Sequence, residues 1–180
     1  MSDSQHTVFD AARLRREFDA SFAGAAGETA HDLEDYLLVY AAEEPYAVAV
    51  AEIGALVVDR PLVAVPSSAA DLLGVAGLRG ELVPVFDLGA LLTGEAPRTP
   101  PRWFALSAGA NPIGFAFAKL HGHHRLSRSA LLGGPQREDG RFTGAIEHAG
   151  IWPVVGLTRL GTNLRERASL GQAGKEQRGW

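Results

Sequence analysis

The chain has 180 residues, 46% hydrophobic and 21% charged, with a formal net charge of -4 and no cysteine. That is an ordinary globular balance for one domain with room for an extension. The acidic balance excludes nucleic acid as the principal partner, and the missing thiols exclude disulfides, thiolate nucleophiles and cysteine-held metals. No apolar run approaches the roughly 18 residues of a membrane span, and the polar start Met1 to His6 has no signal-type segment. The expected location is therefore cytoplasmic, with no direct membrane insertion.

Residues 1–35 carry eight acids and three arginines. Phe9, Leu14, Phe18 and Phe22 recur about once per helical turn, so the extension over 1–34 is expected to be partly helical or disordered. From Asp35 the texture changes. Tyr36 to Tyr40 predicts a buried strand, Ala41 to Pro45 a turn, and Tyr46 to Val50 the returning strand of a hairpin. Ala51 to Leu56 is expected to be a short helical or bent link, and Val57 to Val65 is extended up to Pro66. Ser67 and Ser68 are expected to cap a short helix through Leu73.

Val75 to Gly80 and Leu82 to Phe86 predict two more strands. Asp87 is placed to cap a short helix, Leu88 to Leu92, which Gly94 closes. Residues 94–101 form a proline-rich connector. Strands are predicted again at Trp103 to Leu106 and, after the Asn111-Pro112 turn, at Ile113 to Ala118. Residues 133–141 read as a loop, and Phe142 to Glu147 with Ile151 to Leu157 as a last pair of strands. Past Leu160 the chain turns polar, so 163–180 is expected to be a loose tail. About eight to ten short strands, with helices of one or two turns only, are the pattern of small barrels. No parallel βαβ rhythm of an α/β enzyme is present.

The run Gly74-Val75-Ala76-Gly77-Leu78-Arg79-Gly80-Glu81-Leu82-Val83-Pro84-Val85-Phe86-Asp87-Leu88 resembles the central motif of CheW-like domains. That motif reads G-V-x-N-L-R-G-x-h-h-P-h-h-D-L, with h apolar, and Gly77 replaces its Asn. Tyr36 to Val50 resembles the opening hairpin of the family, Leu62 to Gly74 its approach to the motif, and Phe142 to Val155 its closing hairpin. The likeness covers about residues 35–162. It implies an all-β fold of two small SH3-like five-stranded barrels packed around a shared apolar seam. It also implies a non-enzymatic adaptor that needs no cofactor and couples chemoreceptors to a CheA-type histidine kinase. The implied partners are the kinase's regulatory domain and the cytoplasmic tip of a methyl-accepting chemoreceptor. The long extension is similar to coupling proteins of type IV pilus and other non-flagellar chemosensory systems.

The residues support a docking surface. An arginine in a short loop between two apolar strands is expected to point outward, because burial would demand a paired acid. Gly80 lets backbone approach closely, and guanidinium groups suit half-desolvated hydrogen bonding. By residue chemistry alone, a salt bridge within its own loop is the more ordinary role for Arg79. The resemblance turns the reading toward receptor contact by Arg79, Leu78 and Gly80, with Ile53 and Leu56 as its apolar half. Pro84 is expected at an edge, bulge or corner of the sheet. The chain departs from the family pattern at Ala55, where an acid is common. It departs again at Lys119, where an Asp is common, and at Gly156. These departures keep open a degenerate member that binds a single partner.

Catalytic chemistry finds no arrangement here. The serines lack a nucleophile-elbow context, and Gly74 to Gly77 leads into a strand rather than a helix, unlike a phosphate loop. His121, His123 and His124 raise the alternative of a small metal-binding barrel, in which two histidines two apart share a strand face and His148 adds a third ligand. No carboxylate stands at metal-like spacing, so a solvated basic loop is the expected form of 121–125.

Overall fold

The computed structural model describes residues 33–96, 99–133 and 140–176; the expected helix of the extension lies outside them. The strands are β1 (Leu33–Ala41), β2 (Glu44–Ala49), β3 (Ile53–Val58), β4 (Leu72–Leu78), β5 (Glu81–Asp87), β6 (Trp103–Ser107) and β7 (Gly114–Phe117), followed by β8 (Lys119–Ser127), β9 (Leu131–Leu132), β10 (Phe142–Glu147) and β11 (Ile151–Val155). The helices are α1 (Leu88–Thr93) and α2 (Leu157–Glu176). One sheet has six strands in the order β8-β1-β2-β11-β10-β9, and the other five in the order β3-β6-β7-β5-β4. Both orders are open, so the two expected barrels take the form of two curled sheets packed together.

The curl follows from what each sheet buries. Leu126 on edge strand β8 and Leu131 on edge strand β9 reach the same interior as Leu38, Ile146 and Trp152. In the other sheet, Val57 on β3 and Leu78 on β4 meet around Phe104, Val85 and Ala116. Each sheet therefore folds its two edges toward one another. Between them runs a third and larger apolar layer. Val39, Tyr46, Val48, Leu88, Phe115 and Val155 belong to it. Phe115 is completely buried there.

Local chemistry sets several boundaries. Asp87 accepts a hydrogen bond from the Ala90 N–H at 2.7 Å and so caps α1. Gly94 closes the helix with φ 78°, donating its N–H to the Ala90 carbonyl. Burial pushes the Asp87 carboxyl above the usual carboxylate range, against the opposing pull of the Ala90 and Gly89 N–H groups. Gly74 has φ 144°, and a Cβ there would run into the Val63 carbonyl. Only glycine lets that backbone pair form.

Pro84 sits in β5, an inner strand. Its partner Val75 points both backbone groups at Val63 instead. The β5–β7 ladder begins only at Val85. Proline therefore occupies a stretch where no ladder donor is missed.

Four expectations fail. The link expected over Ala51 to Leu56 is already strand β3 from Ile53 onward. No helix follows Ser67. The Ser67 hydroxyl takes only the Ala69 N–H, at 3.0 Å, and the chain enters β4 at Leu72 because pairing with β5 claims it. Residues 121–125 are not a loop but the middle of β8, where Leu120, His124 and Leu126 alternate with more exposed neighbours.

The polar tail is also a helix, at least to Glu176. Leu157, Leu160 and Leu164 form one stripe buried in the central layer. The Glu52 carboxylate accepts the Leu157 N–H at 2.6 Å and satisfies the start of the helix. Further along, Arg165 donates to the Asn111 carbonyl at 2.6 Å and Arg167 pairs with Asp71 at 2.8 Å.

Candidate functional site

Leu78 and Glu81 are the last pair of the β4–β5 ladder, which leaves Arg79 and Gly80 as a two-residue loop. Their φ angles are 50° and 86°. Two positive values in succession match the turn whose twist suits a tight hairpin, usually built from Asn-Gly or Gly-Gly. Glycine meets that demand at the second position. Arginine at the first occupies the left-handed region at a cost of about 1 kcal/mol or more. The conformation presents the guanidinium to solvent. No hydrogen bond or ion pair holds the Arg79 side chain among the described residues. A Cβ at Gly80 would meet nothing within 4 Å, so the tip of the hairpin stands clear of the body.

The hairpin separates two clefts. One, of about 360 Å³, is lined by Leu56, Leu78, Arg79, Val83, Leu106 and Pro112 among others. Ala55 also lines it and brings no charge. The other cleft, of about 490 Å³, lies between the outward side of β5 and helix α2. Leu82, Pro84 and Phe86 form one wall and Leu164 and Ala168 the other. Leu82 is 76% exposed, the highest value among the exposed large apolar residues. Glu81 lines both clefts, and Arg165 the second. An exposed cation flanked by two largely apolar clefts with charge at their edges suits the docking of another protein.

Of the five expected receptor-contact residues, Arg79, Leu78 and Leu56 share the first cleft, and Gly80 sits beside it in the turn. Ile53 does not join them. It packs against the central layer on the other side of a register shift in β3. Sequence reasoning missed the second cleft. The alternation of β5 does contain the signal, since Val83, Val85 and Asp87 face inward and Leu82 outward. The opposite wall is α2, which the polar texture disguises as a tail.

The histidines lie elsewhere, on the six-stranded sheet. His123 pairs with Asp35 at 3.0 Å, and Arg125 pairs with the same carboxylate at 3.1 Å. Arg125 above all holds the Asp35 carboxyl below its usual range. The His121 ring lies 5.1 Å from Trp152 and 5.9 Å from Tyr40. His124 meets His148. Among the described residues, no three His, Asp or Glu side chains converge on a point that would hold a metal ion. No helix among the described residues is long and apolar enough to cross a membrane.

Comparison with known proteins gives this geometry a family. Among solved structures, the scaffolding protein TtCheW from Thermoanaerobacter tengcongensis superposes with a TM-score of 0.60 at 17% sequence identity, covering 68% of this chain and 88% of that one. At that identity the likeness carries the fold alone. No curated protein matches the chain. The family model for the CheW-like domain matches residues 35–161, a span that takes in both sheets, the Arg79 hairpin and the start of α2. The chain belongs to the CheW-like family.

Proposed function

We propose that this protein is a non-enzymatic adaptor that couples chemoreceptors to a CheA-type histidine kinase in chemosensory signalling. The observation that carries the reading is the Arg79 hairpin, which holds an unpaired guanidinium outward between two largely apolar clefts in a CheW-like chain. The receptor's cytoplasmic tip docks at this hairpin, on Arg79, Leu78, Leu56 and Leu82. The kinase's regulatory domain docks on a separate surface. Nothing is turned over. Coupling comes from occupying both surfaces at once, which fixes the kinase relative to the receptor and biases its conformational equilibrium. The protein reaches membrane receptor clusters through these partners.

Charge reversal tests the receptor surface. Arg79→Glu is expected to weaken binding to a receptor cytoplasmic fragment by tenfold or more, the equivalent of about 1.4 kcal/mol. Binding to the kinase regulatory domain is expected to stay within about twofold, well under 1 kcal/mol. Calorimetric titration of both fragments reads the two values. Equal receptor affinity in the variant and the parent contradicts the placement of the receptor at the hairpin.

A second reading rests on the departures at Ala55, Lys119 and Gly156. In it the chain is a degenerate member that binds one partner only. The same titration separates the two readings, because such a protein binds one of the fragments and ignores the other.

A further inference from the structure

His124 lies on β8, an edge strand, with its ring on the half-buried side that it shares with Leu126. His148 lies in the loop between β10 and β11. Its N–H bonds the Gly150 carbonyl at 2.8 Å, and its carbonyl accepts from the Trp152 indole N–H at 2.8 Å. The two imidazole rings are 4.0 Å apart, centre to centre, with a tilt of 56°. In the order of the sheet, β1 and β2 stand between β8 and β11. The contact is therefore made across the curl and not along a ladder, and it joins an edge strand to a hairpin that it does not pair with.

Two neutral imidazoles, or one neutral and one charged, tolerate this distance. Two imidazolium ions repel at it. The surroundings do not relieve that repulsion. Burial and the neighbouring His148, His121 and His123 all hold the His124 proton affinity below its ordinary value, and no carboxylate counters them. Asp35 on β1 is occupied by His123 and Arg125. Glu147, next to His148, is exposed.

We propose that the His124–His148 contact is a proton-operated clasp, closed while at most one ring is charged and released when both are, freeing edge strand β8 from the β10–β11 hairpin. The sign follows from linkage. A histidine whose folded proton affinity is depressed contributes its full stability above the unfolded value of about 6.5 and loses it as pH falls from there toward the lower folded value. The clasp does not depend on the proposed coupling function, and its failure would leave that function untouched.

Amide hydrogen exchange of the intact chain tests it. Exchange is followed by mass spectrometry at pH 7.5 and 5.5 and corrected for intrinsic rates. Protection over 119–127 and 146–153 is expected to fall at the lower pH by up to about tenfold, the ceiling for one histidine at pH 5.5, about one unit below its ordinary value, while protection over 81–87 holds. His124→Gln, on the strand, removes the fall, and His148→Gln, in a hairpin loop, diminishes it; either variant suffices if the other fails to fold. An undiminished fall in His148→Gln, a fall shared equally by 81–87, or no fall in the parent overturns the clasp.

Discussion

Arg79 pays for its orientation with a positive φ, and the cost makes a prediction. Asparagine accepts the left-handed region more readily than arginine. Arg79→Asn should therefore stabilise the fold by about 0.5–1 kcal/mol, while weakening receptor binding as the charge reversal does. Urea denaturation reads the first effect and titration with the receptor fragment the second. A variant that is less stable than the parent would show that the arginine serves its own loop.

That Arg79 points outward was legible from the sequence, since it stands in a short loop between two apolar strands and the one acid beside it, Glu81, stands in the same exposed turn region. The backbone strain was not legible, because it arises from the two-residue length of the loop, and ladder register fixes that length. Asp87 and Gly94 were readable for a simpler reason. Capping is local chemistry, and their partner Ala90 lies within four residues of both. That Ile53 would not share the cleft with Leu56 was not legible, because a register shift in β3 separates the two.

Among the elements, α2 separates what local pattern reveals from what packing decides. Its sequence after Leu160 is mostly polar, and only a narrow stripe of Leu157, Leu160 and Leu164 identifies a helix face. The groups that hold it in place, Glu52, Asn111 and Asp71, lie between 54 and 106 residues away along the chain. No window of sequence contains them together. The helix also forms a wall of the second cleft, so misreading it as a tail hides that cleft as well. Leu160 is 4% exposed. Leu160→Ala is expected to cost about 2–5 kcal/mol in urea denaturation, as for a buried leucine truncated in a core. A cost below about 1 kcal/mol would mean that the helix rests on the surface and does not complete the central layer. Strand β8 was obscured in a similar way. Its three histidines read as solvent-facing polarity, yet the alternation of exposure along it is that of a strand.

At the scale of the molecule, the all-β class and the hairpins β1–β2, β4–β5 and β10–β11 were readable, because each pairs neighbours in sequence. The parallel pairings of β2 with β11 and of β5 with β7 were not. They join strands whose association depends on the whole chain closing, and no turn motif announces them. These pairings place the first two strands and the last two in one sheet, leaving the Arg79 hairpin at the end of the other. The six-stranded sheet thus presents surface away from the Arg79 hairpin, which the proposed coupling of two partners would use.

The most direct test of the coupling account is whether the protein holds both partners at once. The receptor cytoplasmic fragment and the kinase regulatory domain would be mixed with the intact protein, and the masses of the resulting complexes measured by sedimentation velocity. The account predicts a single species containing all three, which dissolves into the two-component kinase complex when Arg79→Glu replaces the parent. Two binary complexes that exclude one another, with no three-component species at saturating concentrations, would contradict it.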